Sequence, residues 1–314
     1  MKQVVKKLAS MIITLFIVSF LVFLAFDLIP GDAAISKLGT QATPERLLAL
    51  REEMGLNRPF LVRYGTWFLG FIKGDMGTSY SYSQPVQALV ADKLPITITM
   101  IMMAFLLIVA VSIPLGVYTA KHQGSLADRM IMVFNQIFMA VPPFFSGIII
   151  TFLFGILLKW FVPGGFVSYT KDWGKFLSYM IFPAVAIAIP KIAMAVRLLR
   201  TSVLEEASKD YVRTAYSRGN RTNGVLYHHV LKNALIPVIT FLGMALSDMV
   251  AGSIIIEQVF NIPGLGRILL TSISNRDYPV VEAIIMLIAF LVIVVNFLVD
   301  ILYRVVDPRM RENQ

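Results

Sequence analysis

Six long apolar stretches alternate along the chain with segments rich in polar and charged residues. A helix needs about 20 predominantly apolar residues to cross a bilayer, and each stretch is close to or above this length. The pattern therefore predicts six transmembrane helices and an all-α polytopic membrane protein. The predicted spans cover residues 8–29, 96–120, 131–158, 180–199, 234–256 and 280–303.

The composition agrees with a membrane location. Of the 314 residues, 57% are hydrophobic, and the mean hydropathy is +0.74, whereas soluble domains are about half apolar. The first stretch follows Lys2, Lys6 and Lys7, as in a signal peptide, but it is longer than the apolar core of such a peptide and is interpreted as an uncleaved anchor. The chain has no cysteine, which excludes disulfides and thiolate metal sites.

The distribution of charge predicts the orientation of the spans. If both termini are cytoplasmic, the cytoplasmic segments carry 15 Lys and Arg residues, counting Arg197 near the inner end of the fourth span, against 6 Asp and Glu residues. The outer segments carry 12 against 10, counting Glu282 near the outer end of the sixth span. This bias follows the positive-inside rule, so the net charge of +9 reflects topology and does not indicate a nucleic-acid partner. We divide the chain into a tail with the first span (1–29), an extracytoplasmic loop (30–95) and a five-span core (96–314).

The extracytoplasmic loop has the features of two short helices at the outer membrane surface. Thr43 and Pro44 can start a helix, and Gly55 can end it in the left-handed conformation. Pro59 begins an aromatic-rich stretch that predicts the second helix. These helices could cap the bundle of spans by packing, or they could form a docking or gating surface for an external partner.

A polar and basic segment, residues 200–233, lies between the fourth and fifth spans. Gly219 can end one helix in the left-handed conformation, and Asn223 can cap a second helix that leads into the fifth span. The segment therefore predicts a helix, a tight turn and a helix that project into the cytoplasm. The residues that recur every four positions and predict one face of the first helix are Val203, Ala207, Tyr211 and Ala215.

This segment has the residue types of a protein-binding surface. Small residues allow close approach of a partner, and Tyr and Arg are enriched among residues that dominate binding energy. The residues concerned are the small Thr214, Ala215 and Gly219 and the larger Tyr211, Arg213 and Arg218. A solvated basic loop without a partner is the alternative.

The same segment resembles the coupling loop of ABC-importer permeases. Their general pattern, E-A-A-x-x-x-G, is occupied here by Arg213-Thr214-Ala215, three residues and Gly219, so that arginine replaces the glutamate and threonine the first alanine. The peptide and nickel branch of this family has a version similar to D-Y-V-R-T-A-x-x-x-G followed by R-N-A-L-I-P. The chain reads D-Y-V-R-T-A from Asp210, has Gly219 at the glycine, and reads K-N-A-L-I-P from Lys232.

Collinear motifs extend the resemblance over nearly the whole chain and point to the B-type permease of oligopeptide and dipeptide importers. They are Pro30-Gly31-Asp32-Ala33, Met54-Gly55-Leu56 with Pro59, Gly74-Asp75-Met76-Gly77-Thr78-Ser79, the stretch from Glu257 to Gly266, Arg276-Asp277-Tyr278-Pro279 and Asp307-Pro308-Arg309. The resemblance implies a fold like that of type I ABC importers, with a long extracytoplasmic loop after the first helix and a cytoplasmic coupling helix between the fourth and fifth.

The resemblance also implies a function and a set of partners. The chain would be a permease subunit that moves di- or oligopeptides across the bacterial cytoplasmic membrane by alternating access. Its partners would be a homologous second permease, two ABC ATPases that bind ATP and Mg, and an extracytoplasmic substrate-binding protein. The implied coupling residues are Asp210, Tyr211, Arg213, Thr214, Ala215, Arg218 and Gly219.

Two alternatives to peptide import stay open. One is import of nickel or a metal chelate, and the other is a secondary transporter, which six spans without a repeat do not favour. The chain lacks the G-x-x-x-x-G-K-[ST] phosphate loop, so we expect it to be no enzyme and to hold no cofactor of its own. A metal site is not expected either, because the adjacent His228 and His229 diverge on a helix.

Two ionisable residues fall near the middle of predicted spans, where a charge is costly and should face protein or water. Asp248 could hydrogen-bond to a neighbouring helix, or it could line a pore and attract the amino end of a substrate. Lys191 follows Pro190, which frees a backbone carbonyl that the ammonium could meet; alternatively, Lys191 could act in a gate or contact a substrate carboxylate. Asp27 and Asp300 lie near span ends and are expected to reach polar surroundings.

Proline and glycine mark two further features. The pair Pro142-Pro143 interrupts the third span, either as a packing kink or as a bend that lines the pore. The turn Pro263-Gly264-Leu265-Gly266 could be a structural re-entrant turn, an outer gate or a contact for the binding protein.

Overall fold

The computed structural model describes residues 2–28, 33–38 and 43–306, and this part of the chain is helical without a β-strand. The all-α fold class predicted from the sequence is confirmed. The helices are α1 (Lys2–Leu28), α2 (Ala33–Leu38), α3 (Pro44–Glu53), α4 (Phe60–Ile72), α5 (Val86–Lys121), α6 (Leu126–Ala140), α7 (Pro143–Ile150), α8 (Trp173–Ala207), α9 (Asp210–Ser217), α10 (Thr222–Val225), α11 (Leu231–Val259), α12 (Leu265–Ser274) and α13 (Tyr278–Val306). Short π-helices follow α7 at Thr151–Leu157 and α10 at Leu226–Val230.

Several predicted features lie outside the described residues. They are the motifs Pro30-Gly31-Asp32 and Asp307-Pro308-Arg309 and the side chain of Asp300.

Long apolar helices form at the predicted spans. Five described helices are long and apolar enough to cross a membrane: Lys6–Leu28, Val86–Lys121, Trp173–Ala207, Thr222–Val259 and Tyr278–Val299. The bent pair of α6 with α7 and its π-helical extension brings the number to six if it is counted as one span.

The third predicted span is not a continuous helix. Its two halves are bent by 104° relative to each other, and the residues between them, Val141 and Pro142, have extended backbone with ψ of 119° and 147°. A proline disfavours the α-helical conformation of the residue before it, so the Pro142-Pro143 pair breaks the helix. The expected kink is therefore a full break, and a role of this bend in a pore stays a prediction.

Packing divides the described residues into two compact units. The first contains those of Met1–Thr97 and Pro263–Ile293, and the second contains those of Ile98–Ile262 and Val294–Gln314. The division based on sequence does not anticipate that residues 263–293 pack with the N-terminal part of the chain.

In the first unit, α4 packs against the second half of α1 through aromatic side chains. Phe16, Phe20 and Phe23 have the spacing of one helix face. Their rings lie 5.4–6.2 Å from the ring of Tyr64 and meet it edge to face, a favourable geometry for aromatic pairs. The Tyr64 hydroxyl is 2.8 Å from Oγ of Ser19 on the same face. The contacts attach α4 to the side of α1, and its location at the membrane surface stays a prediction.

The two short helices predicted in the extracytoplasmic loop are confirmed as α3 and α4. Thr43 caps α3, because its Oγ1 accepts a hydrogen bond from the amide of Arg46 at 3.4 Å. Gly55 follows the end of α3 with φ of +68°, a left-handed conformation that glycine adopts readily. Pro59 directly precedes α4.

A buried carboxylate in the first unit joins two segments that are far apart in the sequence. Asp277 is fully buried and accepts hydrogen bonds from the Ser79 hydroxyl (2.5 Å) and from the amides of Tyr80 (2.9 Å) and Ser81 (3.0 Å). Burial of a carboxylate without such partners would be costly. The bonds connect the end of the G-D-x-G-x-S segment to the start of α13.

In the second unit, α8 is the central helix and contacts α6, α7 and α11. Small residues allow close helix packing in a membrane. The buried residues of α8 include a series of alanines, which are Ala184, Ala186, Ala188, Ala193 and Ala195. A β-carbon added to Gly116 of α5 would lie 2.8 Å from Leu199 of α8, and one added to Gly243 of α11 would overlap with Val299 of α13. These two glycines therefore set how closely the helices approach.

We expect the replacement Gly116→Val to destabilise the second unit. Leu199 is fully buried and cannot move away, so α5 and α8 must separate, at a cost of about 1–3 kcal/mol. Thermal unfolding in detergent should show a lower Tm. Gly252→Val is the matched control, because a β-carbon at Gly252 meets nothing within 4 Å. Equal Tm values for the two variants would contradict the close α5–α8 contact.

Candidate functional site

The segment between α8 and α11 folds as two short helices joined by a turn, as predicted. The predicted common face is wrong, however, because α8 ends at Ala207 and α9 begins at Asp210. The Ser208 hydroxyl donates to the Glu205 carbonyl at 2.7 Å, and Lys209 has extended backbone with ψ of 152°. Such local side-chain bonds compete with helix continuation. Val203 and Ala207 thus lie on α8, whereas Tyr211 and Ala215 lie on α9.

The turn after α9 is formed by Gly219. Its φ of +79° confirms the predicted left-handed conformation, and a β-carbon at this position would meet nothing within 4 Å. The prediction that Asn223 caps the following helix is wrong, because Asn223 lies inside α10 and Arg221 occupies the cap position without a side-chain hydrogen bond. Gly219 therefore combines a conformation that other residues rarely adopt with open space around it.

Tyr211 connects α9 to the start of α11. Its hydroxyl accepts a hydrogen bond from Nδ2 of Asn233 at 3.1 Å and lies 3.3 Å from Oε1 of Glu206 at the end of α8. Burial of the hydroxyl raises the pKa of Tyr211, which keeps the side chain neutral. The residue thus links the D-Y-V-R-T-A motif to the K-N-A-L-I-P motif. Its side chain is still partly open, with 37% of the residue exposed.

The structure separates the predicted coupling residues into an exposed set and one buried member. Ala215 is only 6% exposed and packs under α9 together with Val212. Ala215 therefore supports α9 from inside the chain. The exposed members are Asp210, Tyr211, Arg213, Thr214, Arg218 and Gly219.

Two exposed tyrosines on this surface are not among the predicted coupling residues. Tyr216 and Tyr227 are 46% and 53% exposed, so two further aromatic rings lie near the turn. Their residue type is a signal in the sequence for a protein interface, because tyrosine is enriched at the centres of such interfaces.

A buried ion pair holds α6 to α8 at the first residue of the segment. The guanidinium of Arg200 donates to both carboxylate oxygens of Asp128, with Nε–Oδ1 and Nη2–Oδ2 distances of 2.7 and 2.8 Å. The amide of Gly124 also donates to Oδ2 of Asp128, at 2.9 Å. Asp128 is 2% exposed, and paired hydrogen bonds of this kind are strong and directional. In the sequence, both residues counted only as charges in the predicted topology.

The two charged residues predicted near the middle of spans meet each other. Nζ of Lys191 on α8 is 2.8 Å from Oδ2 of Asp248 on α11. The Asp248 side chain is 67% exposed and that of Lys191 is 21% exposed, so the pair lies on a face that this chain leaves open. A charge at this depth is unfavourable against lipid, which indicates that the face meets water or another protein chain.

A second polar pair lies beside Asp248 in the sequence. Ser247 donates to Oδ1 of Asn296 on α13 at 3.0 Å. Asn296 is the one polar residue in the apolar run from Ile284 to Val299, and that isolation is the signal by which the sequence reasoning could have found it. Three helices therefore contribute polar side chains to two neighbouring pairs of the second unit.

The turn Pro263-Gly264-Leu265-Gly266 is largely covered by the chain. Gly264, Leu265 and Gly266 are buried, and the Leu265 amide donates to Oγ1 of Thr97 at 3.0 Å. The turn leads into α12, whose first residue is Leu265. The burial agrees with a structural turn, and a gate or a contact for a binding protein stays a prediction.

Among the residues that the structure describes, no group of three or more His, Cys, Asp or Glu side chains could hold a metal ion. Nδ1 of His228 lies 3.2 Å from the Gly224 carbonyl of its own segment. The site thus consists of a docking-type surface around α9 and polar pairs on α8, α11 and α13, without a described metal centre.

Comparison with known proteins accounts for nearly the whole chain. The family model "Binding-protein-dependent transport system inner membrane component" matches residues 112–312, and the model of the N-terminal part of the same membrane component matches residues 1–101. A probable peptide ABC transporter permease protein, y4tP, of Sinorhizobium fredii is 35% identical over 98% of both chains.

Two further relatives come from other bacteria. The oligopeptide transport system permease protein AppB of Bacillus subtilis is 36% identical over 93% of this chain and 94% of its own length. The dipeptide transport system permease protein DppB of Alkalihalophilus pseudofirmus is 31% identical over 98% of both chains.

Proposed function

The chain belongs to the binding-protein-dependent transport system inner membrane component family, and from this premise we propose that it is the permease subunit of an ATP-driven importer of di- and oligopeptides. The relatives named as peptide, oligopeptide and dipeptide permeases match over nearly their full lengths. The protein would lie in the bacterial cytoplasmic membrane, with both termini on the cytoplasmic side. The charge bias of the connecting segments supports this orientation.

The observation that carries the proposal is the exposed surface of α9 and its turn between two long apolar helices. This surface presents Asp210, Arg213, Thr214 and Arg218 outward and ends at the open turn of Gly219. A separate ATPase subunit that docks here would supply the hydrolysis that this chain lacks the phosphate loop to perform. The docked ATPase can shift the permease only if it binds one of its conformations better than the other.

The contacts of the segment support transmission of movement to the spans. Tyr211 ties α9 to Asn233 on α11, and Arg200 ties α8 to Asp128 on α6. A displacement of α9 would therefore act on three helices of the second unit. Rigid helices joined by such specific contacts suit a two-state change between inward-open and outward-open forms.

The open polar face with Lys191 and Asp248 is the candidate path. We assign this face to the wall of the pore. A homologous second permease would form the other side of that pore. A peptide carries an ammonium and a carboxylate at its ends. Asp248 can attract the ammonium, and Lys191 can attract the carboxylate. An extracytoplasmic binding protein would deliver the peptide to this path, and selectivity would rest mainly with that protein.

The test is uptake in cells that express the complete transporter with or without this chain. Labelled dipeptide uptake should depend on the chain, whereas uptake of radioactive nickel, measured in parallel, should not. Loss of nickel uptake with normal dipeptide uptake would contradict peptide import.

The coupling role is tested by the replacement Gly219→Leu. A side chain here should block close approach of the ATPase, so uptake should fall by about tenfold or more, equivalent to at least about 1.4 kcal/mol, while the chain remains in the membrane. Gly74→Leu is the matched control, because Gly74 also has positive φ (+89°) and open surroundings but lies in the first unit. Equal uptake in the two variants would contradict the assignment.

A further inference from the structure

A cavity in the first unit combines ionisable side chains with aromatic walls. Its volume is about 610 Å³, which is within the range of about 300–1,000 Å³ found for small-molecule sites. The lining groups that matter here are Phe23, Trp67, Tyr278, Arg58, Arg63 and Glu282. All belong to α1, α4, α13 and the loop before α4, at the end of α1 where its apolar run stops.

Glu282 is the chemical centre of this cavity. The residue is only 6% exposed, and its carboxyl group borders the cavity. A carboxyl group held away from bulk water binds best a partner that supplies both hydrogen bonds and positive charge. A cationic ligand with N–H donors in the cavity would supply both.

The groups around Glu282 indicate which type of cation would bind in the cavity. A primary ammonium donates three hydrogen bonds, whereas a quaternary ammonium donates none. The aromatic rings of Phe23, Trp67 and Tyr278 line the same cavity and can attract a cation through their faces. Glu282 therefore favours a primary ammonium over a quaternary one.

Two arginines at the same cavity suit an anion. Arg58 is exposed at the cavity and Arg63 lines it. The Arg63 guanidinium is also paired with Asp27, which holds it in place at the cavity wall. Arginine matches the geometry of phosphate and carboxylate groups, so the cavity offers a cation site and an anion site within one volume.

The position of the cavity points to lipid as the source of this zwitterion. Only 6% of the apolar window of α1 is buried by the chain, so this helix is open to acyl chains. Several apolar residues of α4 also point away from the chain, including Leu61 (70% exposed) and Ile72 (65%). Tryptophan and tyrosine are enriched at the level of lipid headgroups.

We propose that this cavity binds the headgroup of a phospholipid with a primary ammonium, such as phosphatidylethanolamine. Glu282 receives the ammonium, and Arg58 with Arg63 receives the phosphate. The lipid would stabilise the loop between α1 and α5 against α13, independently of which substrate the transporter carries.

The test measures which lipids stay bound to the purified full chain. The protein is placed in nanodiscs of equal phosphatidylethanolamine, phosphatidylcholine and phosphatidylglycerol content, extracted, and analysed by native mass spectrometry. We expect phosphatidylethanolamine to be retained about tenfold over phosphatidylcholine, equivalent to about 1.4 kcal/mol. In Glu282→Gln this ratio should fall to near one, whereas Glu45→Gln, an exposed carboxylate outside the cavity, should leave it unchanged.

A second variant separates the two halves of the site. Arg58→Gln should weaken retention of all three lipids without changing the ratio of phosphatidylethanolamine to phosphatidylcholine. Unselective retention by the unmodified chain would overturn the proposal. So would displacement of the lipid by millimolar dipeptide in a Glu282-dependent manner, because the zwitterion would then be a peptide.

Discussion

Replacing Lys191 with methionine and Asp248 with leucine together should reduce dipeptide uptake by about tenfold or more while the chain still reaches the membrane. The two side chains pair at 2.8 Å between α8 and α11. Apolar replacement of an ion pair by residues of similar volume is often neutral or stabilising for the fold. The double variant therefore removes the charges from the open face without leaving one of them unpaired.

The double variant distinguishes a role of the ion pair in the substrate path from a purely structural role. If the pair only holds α8 to α11, packing of methionine on leucine should preserve uptake. If the pair lines the path for a charged substrate, uptake should fall even though the amount of protein in the membrane is normal. Normal uptake in the double variant would contradict the assignment of this face.

Two further variants sharpen the result. The single change Asp248→Asn keeps a carbonyl oxygen for Lys191 but removes the negative charge, and unchanged uptake at normal expression would contradict a role of that charge. A matched double replacement at the exposed pair of Asp92 and Lys93, which are 2.6 Å apart, should leave uptake unchanged. The readout is the initial rate of labelled dipeptide uptake divided by the amount of chain in the membrane fraction.

The replacement Asp128→Ala should cause the largest loss of stability among the changes considered. It leaves the Arg200 guanidinium without its two bonds to the carboxylate, and breaking a buried pair in this way costs about 3–5 kcal/mol. The side chain of Arg200 is 22% exposed, so the lower end of that range applies. The expected consequence is release of α6 from α8 and a lower Tm in detergent.

The matched comparison is Asp210→Ala in an exposed ion pair. Asp210 lies 3.8 Å from Arg213, and both side chains are at least 80% exposed, so the change in stability should stay below about 1 kcal/mol. The double variant Asp128→Leu with Arg200→Met should recover stability, because no buried charge is left unpaired. Equal Tm values for Asp128→Ala and Asp210→Ala would show that the buried pair does not hold the helices together.

Local features of the sequence were sufficient for most elements. Thr43, Gly55 and Gly219 act within their own turns, and the structure places each as predicted. The two errors at α8–α10 were local as well. Ser208 bonds to the Glu205 carbonyl, and Asn223 lies one position beyond the first residue of α10. Several residues of this segment can start or stop a helix, and propensity alone does not decide between them.

The sequence by itself determined the all-α membrane fold, the apolar stretches, the site of the α9 turn and the family resemblance, because these depend on local length, polarity and motif order. Only the tertiary structure decided which polar groups meet. The partners Lys191 and Asp248 are 57 residues apart, Asp128 and Arg200 are 72 apart, and Ser79 and Asp277 are 198 apart. Such pairs depend on how each helix is rotated and how closely it approaches its neighbours. Packing at Gly116 and Gly243 sets that approach, and side-chain volumes become decisive only when the whole chain is packed.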